Sequence, residues 1–383
     1  MGRFPVVIYA PSFSASSFEN ADLCEYLASH GYVVIAAPDM GATTRYMTMN
    51  LEGANTQARD ISFLIGYAQT LPNTEMSEVA VAGFSWGGLS NVMAAARDKR
   101  IAALVSLDGS ARYFPKLVKE TEDVHPEEMI LPWLFFTQGN IPLEGLKVGL
   151  GACDAPNVLD AWTHGDLVTL EMLGMTHQEF SSMMQRNEEI WKSGFPEAKK
   201  ADYEREDGYI SYSWVARYTL QFLNAYLKHD AAAMEYLKRQ PAENGVPKHF
   251  MSVDFRASKG TPLSLEAFRA ALGRKGFDHA SEIYAEMHKQ KADFKLDEME
   301  VNLWGYALMD ENHLPEATEL FKLSVQMYSE SFNVYDSLGE AYMKAGQKEL
   351  AIEYYKKSLE KNPTNLNAIA MLKKLESGQV TTK

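Results

Sequence analysis

Residues 5–107 alternate short β-branched runs with amphipathic segments, and this alternation limits the fold more than any other feature of the chain. Residues 5–10 (Pro-Val-Val-Ile-Tyr-Ala) and 32–37 (Tyr-Val-Val-Ile-Ala-Ala) are apolar nearly throughout, as strands are when both faces of their sheet are covered. Between them residues 19–30 read as a helix, closed by Gly31 where a C-cap glycine belongs. A helix over 56–70, a strand over 79–82, a helix over 89–97 and strands over 101–107 and 132–137 continue the series. Such alternation predicts an α/β fold, a parallel sheet with helices on both faces. Ligands of these sheets bind beyond the carboxyl ends of the strands.

The texture changes near Trp191. Residues 213–228 read as a helix, and residues 229–262, with Pro241, Pro247 and Pro262, as a mixed connector. Beyond it the chain is helical and repeats itself. Trp304-Gly-Tyr-Ala-Leu-Met309 lies over Leu338-Gly-Glu-Ala-Tyr-Met343 at an offset of 34, which also matches Ala317 with Ala351 and Phe321 with Tyr355. That period, with small residues where two helices cross, resembles the tetratricopeptide repeat. Residues 264–290 look like a degenerate earlier unit and 365–375 like a capping helix. The expected organisation is therefore a catalytic α/β domain over 1–228, a connector over 229–262 and an all-α repeat domain over 263–383.

Composition narrows the partners. A formal net charge of -14 over 383 residues argues against nucleic acid, whose phosphates attract basic surfaces, and against electrostatic attachment to anionic membranes. No apolar run is long enough for a transmembrane helix, so neither nucleic acid nor membrane insertion is expected. Cys24 and Cys153 are the two cysteines, too few for a disulfide framework or a zinc site; one disulfide or two buried thiols remain open, and no metal or cofactor is expected. The sequence opens on a core-type strand rather than a signal peptide. A soluble protein is expected, cytoplasmic or, with a leader upstream of this sequence, periplasmic or secreted.

The chemistry centres on Gly83-Phe-Ser-Trp-Gly87. A strand before it and a helix after it are the context of a nucleophile elbow, a sharp turn that lifts a serine hydroxyl above the sheet edge. Gly83 and Gly87 suit that turn because side chains there would clash. A serine hydroxyl needs a histidine to take its proton and a carboxylate to orient the histidine, in the chain order serine, acid, histidine. His177 and His164 are the two histidines in range. His177 follows the strand-like residues 166–172 in a loop, whereas His164 precedes them and belongs at the opposite sheet edge, so His177 is favoured. Asp108 ends strand 101–107 on the same edge as Ser85, although Asp108-Gly-Ser110 is also good turn chemistry. The rival position after strand 132–137 reads Gln138-Gly-Asn140 and carries no carboxylate. An oxyanion hole needs two backbone N–H groups: one from Trp86, and one from Ser12, Phe13 or Ser14, since Pro11 has none to give.

These features resemble the α/β-hydrolase superfamily, in its dienelactone-hydrolase-like and platelet-activating-factor acetylhydrolase-like branch. The resemblance covers about residues 4–182 and rests on Phe4-Pro-Val-Val-Ile-Tyr-Ala10, Leu27-Ala-Ser-His-Gly-Tyr-Val-Val-Ile-Ala36, Gly83-Phe-Ser-Trp-Gly-Gly88, Ala103-Leu-Val-Ser-Leu-Asp108 and His177-Gln-Glu-Phe180. It implies Asp108 as the acid and Phe13 as the oxyanion residue of the first loop. Two departures stand out: Pro11-Ser12 replaces the usual His-Gly, and Ser85 replaces the cysteine of dienelactone hydrolases proper, which speaks against that activity itself.

The expected function is a serine esterase acting on a small, short-acyl carboxylic ester, with catalytic Ser85, Asp108 and His177 and oxyanion donors Phe13 and Trp86. A peptidase or amidase on the same triad is one alternative; an interaction protein with an inert hydrolase domain is another. The helical repeats are candidates for binding a protein partner or forming a homo-oligomer. Residues 140–173 are long enough for a lid. Met172, Met175, Met183 and Met184, with Tyr46, Met47 and Met49, suit either an adaptable acyl pocket or core packing.

Overall fold

The computed structural model describes residues 2–139, 157–185, 187–189, 192, 203–260 and 262–377. It separates into two compact units, Met1–Lys259 and Gly260–Lys383.

The first unit is built on a seven-stranded sheet in the order β2-β1-β3-β4-β5-β6-β7. The strands are β1 (Phe4–Ala10), β2 (Val33–Ala36), β3 (Thr74–Phe84), β4 (Ile101–Leu107), β5 (Trp133–Gln138), β6 (Leu167–Met172) and β7 (Met251–Arg256). All pairs are parallel except β6 with β7. Helices α1 (Ala21–Ser29), α2 (Leu51–Ala68) and α3 (Gly87–Arg97) fall between strands as the alternation requires, followed by the short α4 (Pro115–Glu120) and α5 (Val158–Ala161) and by α6 (Arg205–Leu227) and α7 (Ala231–Lys238).

The apolar strands read as continuous runs because each residue has a core to enter. Val7 and Tyr9 of β1 pack with Leu23 and Leu27 of α1 and with Val215, Phe222 and Leu223 of α6. Val6 and Ile8, pointing the other way, pack with Ile61 and Ile65 of α2 and Val92 of α3. The period-2 alternation of a strand thus feeds two hydrophobic layers.

Two expectations need correction, the connector and the start of the helix expected at 213. The 229–262 connector is not a separate segment: α7 packs on the core through Ala233 and Leu237, and β7 pairs antiparallel along β6 from Met251↔Met172 to Arg256↔Leu167. Met-Ser-Val-Asp-Phe-Arg hides its strand character because it is an edge strand, and its alternate residues Ser252 and Asp254 face solvent. Of the 140–173 lid, residues 140–156, with Cys153, lie outside the described residues; the rest contributes α5 and the strand β6. Helix α6 also begins eight residues before the expected start, at Arg205, where the Glu204 N–H donates to Asp207 Oδ2 at 2.7 Å in a capping box.

The second unit is helical. Its pairs Glu298–Asp310 with Leu314–Met327, and Phe332–Lys344 with Lys348–Lys361, realise the 34-residue offset. A Cβ on Gly305 would lie 2.5 Å from the Phe321 ring and one on Gly339 3.1 Å from Tyr355, so the two matched glycines let the two matched aromatic rings close the same helix crossing. The earlier unit is present as Leu265–Lys275 and Ala280–Gln290, and the cap as Leu366–Glu376. Among the described residues no helix is long and apolar enough to cross a membrane.

Candidate active site

Parallel register brings four chain segments to one sheet edge. Ala10 pairs with Gly83, Gly83 with Ser106, Leu107 with Phe136, and Gln138 with Met172. The residues just beyond these strand ends are therefore neighbours: Pro11, Ser85, Asp108 and the loop leading to His177. Strand order reverses at β1, which lies between β2 and β3, and a crevice opens at such a switch point.

Ser85 sits in the left-handed region at φ +51° and Asp108 at φ +43°, each a conformation costing on the order of 1–3 kcal/mol for a residue with a side chain. The two turns hold each other. The Ser85 N–H donates to Leu107 O at 3.1 Å, the Ser110 N–H donates to Ser85 O at 2.7 Å, and the Asp108 N–H donates to Phe136 O at 2.9 Å. Close approach accounts for the glycines: a Cβ on Gly87 would stand 2.1 Å from Ala10 O, and one on Gly88 2.4 Å from Gly109 Cα.

His177 lies 2.9 Å from Ser85 Oγ through Nε2 and 2.6 Å from Asp108 Oδ2 through Nδ1. A carboxylate only accepts, so Nδ1 carries the proton and Nε2 is left to accept from the serine hydroxyl. Asp108 is fully buried, while the His177 side chain is 34% exposed at the mouth. His177 opens a short 3₁₀ turn, His177–Phe180, in which the Thr176 N–H donates to Glu179 Oε2 at 2.6 Å. Its ring packs 5.0 Å from Phe84 and 6.2 Å from Tyr113, centre to centre. His164 lies at the other end of β6, where its carbonyl accepts from Ser258 Oγ at 2.5 Å. Sequence reasoning thus brings Ser85, Asp108 and His177 together and leaves His164 out.

Two residues around Asp108 escaped that reasoning. Tyr113 OH donates to Asp108 Oδ1 at 2.9 Å and Oδ2 at 3.0 Å, and Gln138 Nε2 donates to Asp108 Oδ2 at 3.0 Å and Tyr113 OH at 2.9 Å. Gln138 occupies the rival acid position at the end of β5; it supplies an amide to the carboxylate of the neighbouring strand instead of a carboxylate of its own. Burial, then the charge of Asp108, pushes the Tyr113 hydroxyl far up, so it remains a donor at any ordinary pH.

The expected amide donors differ from their neighbours in their bonding. In the first loop the Ser12 N–H donates to Glu19 Oε2 and the Ser14 N–H to Asp39 Oδ2, each at 2.8 Å. The Phe13 and Trp86 N–H groups have no acceptor among the described residues. Phe13 and Trp86 line, with Ser85 and His177, a cavity of about 240 Å³. Of the three first-loop amides, only that of Phe13 is left over.

Residues 2–129 match the dienelactone hydrolase family, and residues 337–365 match the tetratricopeptide repeat. A putative carboxymethylenebutenolidase of Synechocystis sp. is 33% identical over 102 residues, a match that covers 23% of this chain and 42% of that protein. The chain thus spans less than half the length of this curated relative. Among solved structures, a ferulic acid esterase from Streptomyces cinnamoneus is similar at 20% identity and a TM-score of 0.47, over 66% of this chain and 74% of that one.

The cavity is walled by rings rather than by methionines. Trp86 meets Phe13 edge-on at 5.7 Å and Phe114 at 5.8 Å between ring centres. Met49 alone of the methionine group lines the cavity; Met47, Met172 and Met175 are buried in the cores, while Tyr46 and Met183 are exposed. Aromatic wall residues lie in three loops with no common spacing, so no periodicity marks them. Among the described residues no cluster of His, Cys, Asp and Glu could hold a metal ion.

Proposed function

We propose that this chain is a serine esterase that hydrolyses short-acyl carboxylic esters through an acyl-enzyme. The carrying observation is the unbroken chain Ser85 Oγ, His177 and Asp108 at 2.9 and 2.6 Å, opening into a cavity with two unbonded amides. In this reading Ser85 Oγ attacks the ester carbonyl carbon and its proton passes to His177 Nε2. The carbonyl oxygen takes up the negative charge and is met by the Phe13 and Trp86 N–H groups. Collapse of that intermediate breaks the bond to the alkoxy oxygen, which leaves with the proton from His177. Water, deprotonated by the same nitrogen, then releases the acid and restores Ser85. Asp108 keeps the imidazole in the required tautomer.

The family match supports hydrolysis, and a serine in place of a cysteine at the elbow speaks against the family's namesake activity. A cavity of about 240 Å³ is below the range of pockets for drug-sized ligands, which supports a small acyl group. The test is turnover of aryl esters of increasing acyl length. Acetyl to butyryl esters should be turned over best, and Ser85→Ala should lower kcat by about 10³-fold or more. Full activity of Ser85→Ala would remove the reading. We assign the repeat unit to protein association, with a partner or with a second copy; mass measurement on the intact chain distinguishes the two.

A further inference from the structure

We propose that Glu19 and Asp39 are positioning residues that aim the Phe13 N–H at the reacting carbonyl, an assignment that rests on the serine-esterase reading above. The loop Pro11-Ser-Phe-Ser14 is held by residues from several segments of the first unit. Gln57 Nε2 of α2 donates to Pro11 O at 2.8 Å, Glu19 accepts from both the N–H and the Oγ of Ser12, and Asp39 accepts from the Ser14 N–H. The Asp39 N–H returns a bond to Ala15 O at 2.9 Å. Ser14 itself is left-handed at φ +54°, a conformation that the Asp39 clamp and the Met47 N–H, which donates to Ser14 Oγ at 3.1 Å, stabilise. With both neighbouring amides captured, Phe13, which lines the cavity, is the one of the three whose N–H has no acceptor among the described residues. Its ring meets Trp86, which bears the other unbonded amide, edge-on at 5.7 Å, so the side chains of the two donor residues pack together.

Glu19 also ties this loop to the histidine. Its side chain holds Ser12, while its main-chain carbonyl accepts from Ser181 Oγ at 3.1 Å and the Met183 N–H at 3.2 Å, just past His177. The adjacent Asn20 repeats the link: Oδ1 accepts from the Ser182 N–H at 2.7 Å and Tyr212 OH at 2.8 Å, and Nδ2 donates to Tyr9 OH at 2.5 Å. Glu19 and Asp39 are 4% and 3% exposed, and neither forms an ion pair among the described residues. Burying a carboxylate without a cation costs stability. Carboxyl oxygens at those two places accept from the flanking N–H groups and leave a single first-loop amide unbonded.

The experiment compares Glu19→Gln with wild type and Ser85→Ala. It reads kcat and KM on an aryl acetate and the affinity of a trifluoromethyl ketone, whose hemiketal oxygen takes the oxyanion position. A glutamine keeps the volume but has one acceptor oxygen where the two Ser12 donors use two. We expect kcat to fall about ten-fold or more with KM within about three-fold, and ketone affinity to fall in step, because only the charged state is affected. A residue with a structural role alone would lower Tm and leave both at wild-type values, and that result overturns the assignment. Should Glu19→Gln fail to fold, Ser12→Ala removes one of the two contacts and keeps the carboxylate. Ser12→Ala keeps the Ser12 N–H bond to Glu19, so Asp39→Ala, which releases the Ser14 N–H, decides the matter: a parallel fall in kcat and ketone affinity supports the assignment, and wild-type values for both overturn it. Activity remaining in Ser85→Ala would instead strike at the esterase reading itself.

Discussion

Tyr113→Phe removes one oxygen from the least accessible part of the site, and its consequences can be worked out from four contacts. Asp108 is fully buried and accepts from His177 Nδ1, from Gln138 Nε2 and, with both oxygens, from Tyr113 OH. Phenylalanine fills the same space, so no cavity term enters beyond the lost oxygen. Hydrogen bonds to charged groups contribute about 1.5–3 kcal/mol each. Because Gln138 keeps its own bond to Asp108 and loses only its contact with Tyr113, the lower half of that range is expected, about 1.5–2 kcal/mol. In a domain of this size 1 kcal/mol corresponds to roughly 2–4 °C in Tm, which gives a fall of about 3–8 °C. The effect on turnover should be of similar size, a roughly ten-fold lower kcat, since the carboxylate loses a tether but still holds the imidazole. It should stay far below the loss of about 10⁴ that follows from the wrong histidine tautomer. Scanning calorimetry and steady-state kinetics on an aryl acetate measure both, and Gln138→Leu completes a double-mutant cycle with an expected coupling of about 0.5–3 kcal/mol. A Tyr113→Phe protein with Tm within about 1 °C and kcat within two-fold of wild type would refute the reasoning, because the contacts would then carry no energy.

Three further predictions follow from the same geometry. Gly88→Ala places a methyl 2.4 Å from Gly109 Cα, so α3 and the turn after Asp108 must separate; a stability loss of about 1–3 kcal/mol and a lower kcat are expected from denaturant titration and kinetics. Burial pushes the Asp39 carboxyl up to about 7, well above its unfolded value of about 4. Its contribution to stability is therefore fully present below about pH 4 and lost as pH rises to about 7. Asp39→Asn should accordingly melt higher than wild type at pH 8, with the advantage gone near pH 4. Finally, a chain ending at Lys259 should fold as the first unit, whereas one ending at Lys228 loses α7 and β7 and uncovers the β6 edge. Circular dichroism and light scattering should find the shorter chain aggregated.

Much of this protein follows from local sequence. Strands such as 5–10 and 101–107 are legible because both faces are buried and the apolar run is unbroken, and the glycines flanking Ser85 mark a turn that tolerates no side chain. Chain order and strand position then pick Asp108 and His177, because a parallel sheet sends every strand's carboxyl end to one edge. Matched Gly305 and Gly339 show the repeat for a similar reason, since one helix crossing recurs at one spacing. What stayed hidden depends on partners far apart in the chain. Edge strand β7 has no apolar run to announce it, as only one face is covered. Gln138 and Tyr113 look like an ordinary strand end and loop until Asp108 lies beneath them, and the aromatic wall draws on three loops. No motif or spacing in the sequence singles out Glu19 or Asp39. Only folding buries both against the amides of Ser12 and Ser14 and leaves the Phe13 N–H as the one of the three first-loop amides without an acceptor among the described residues.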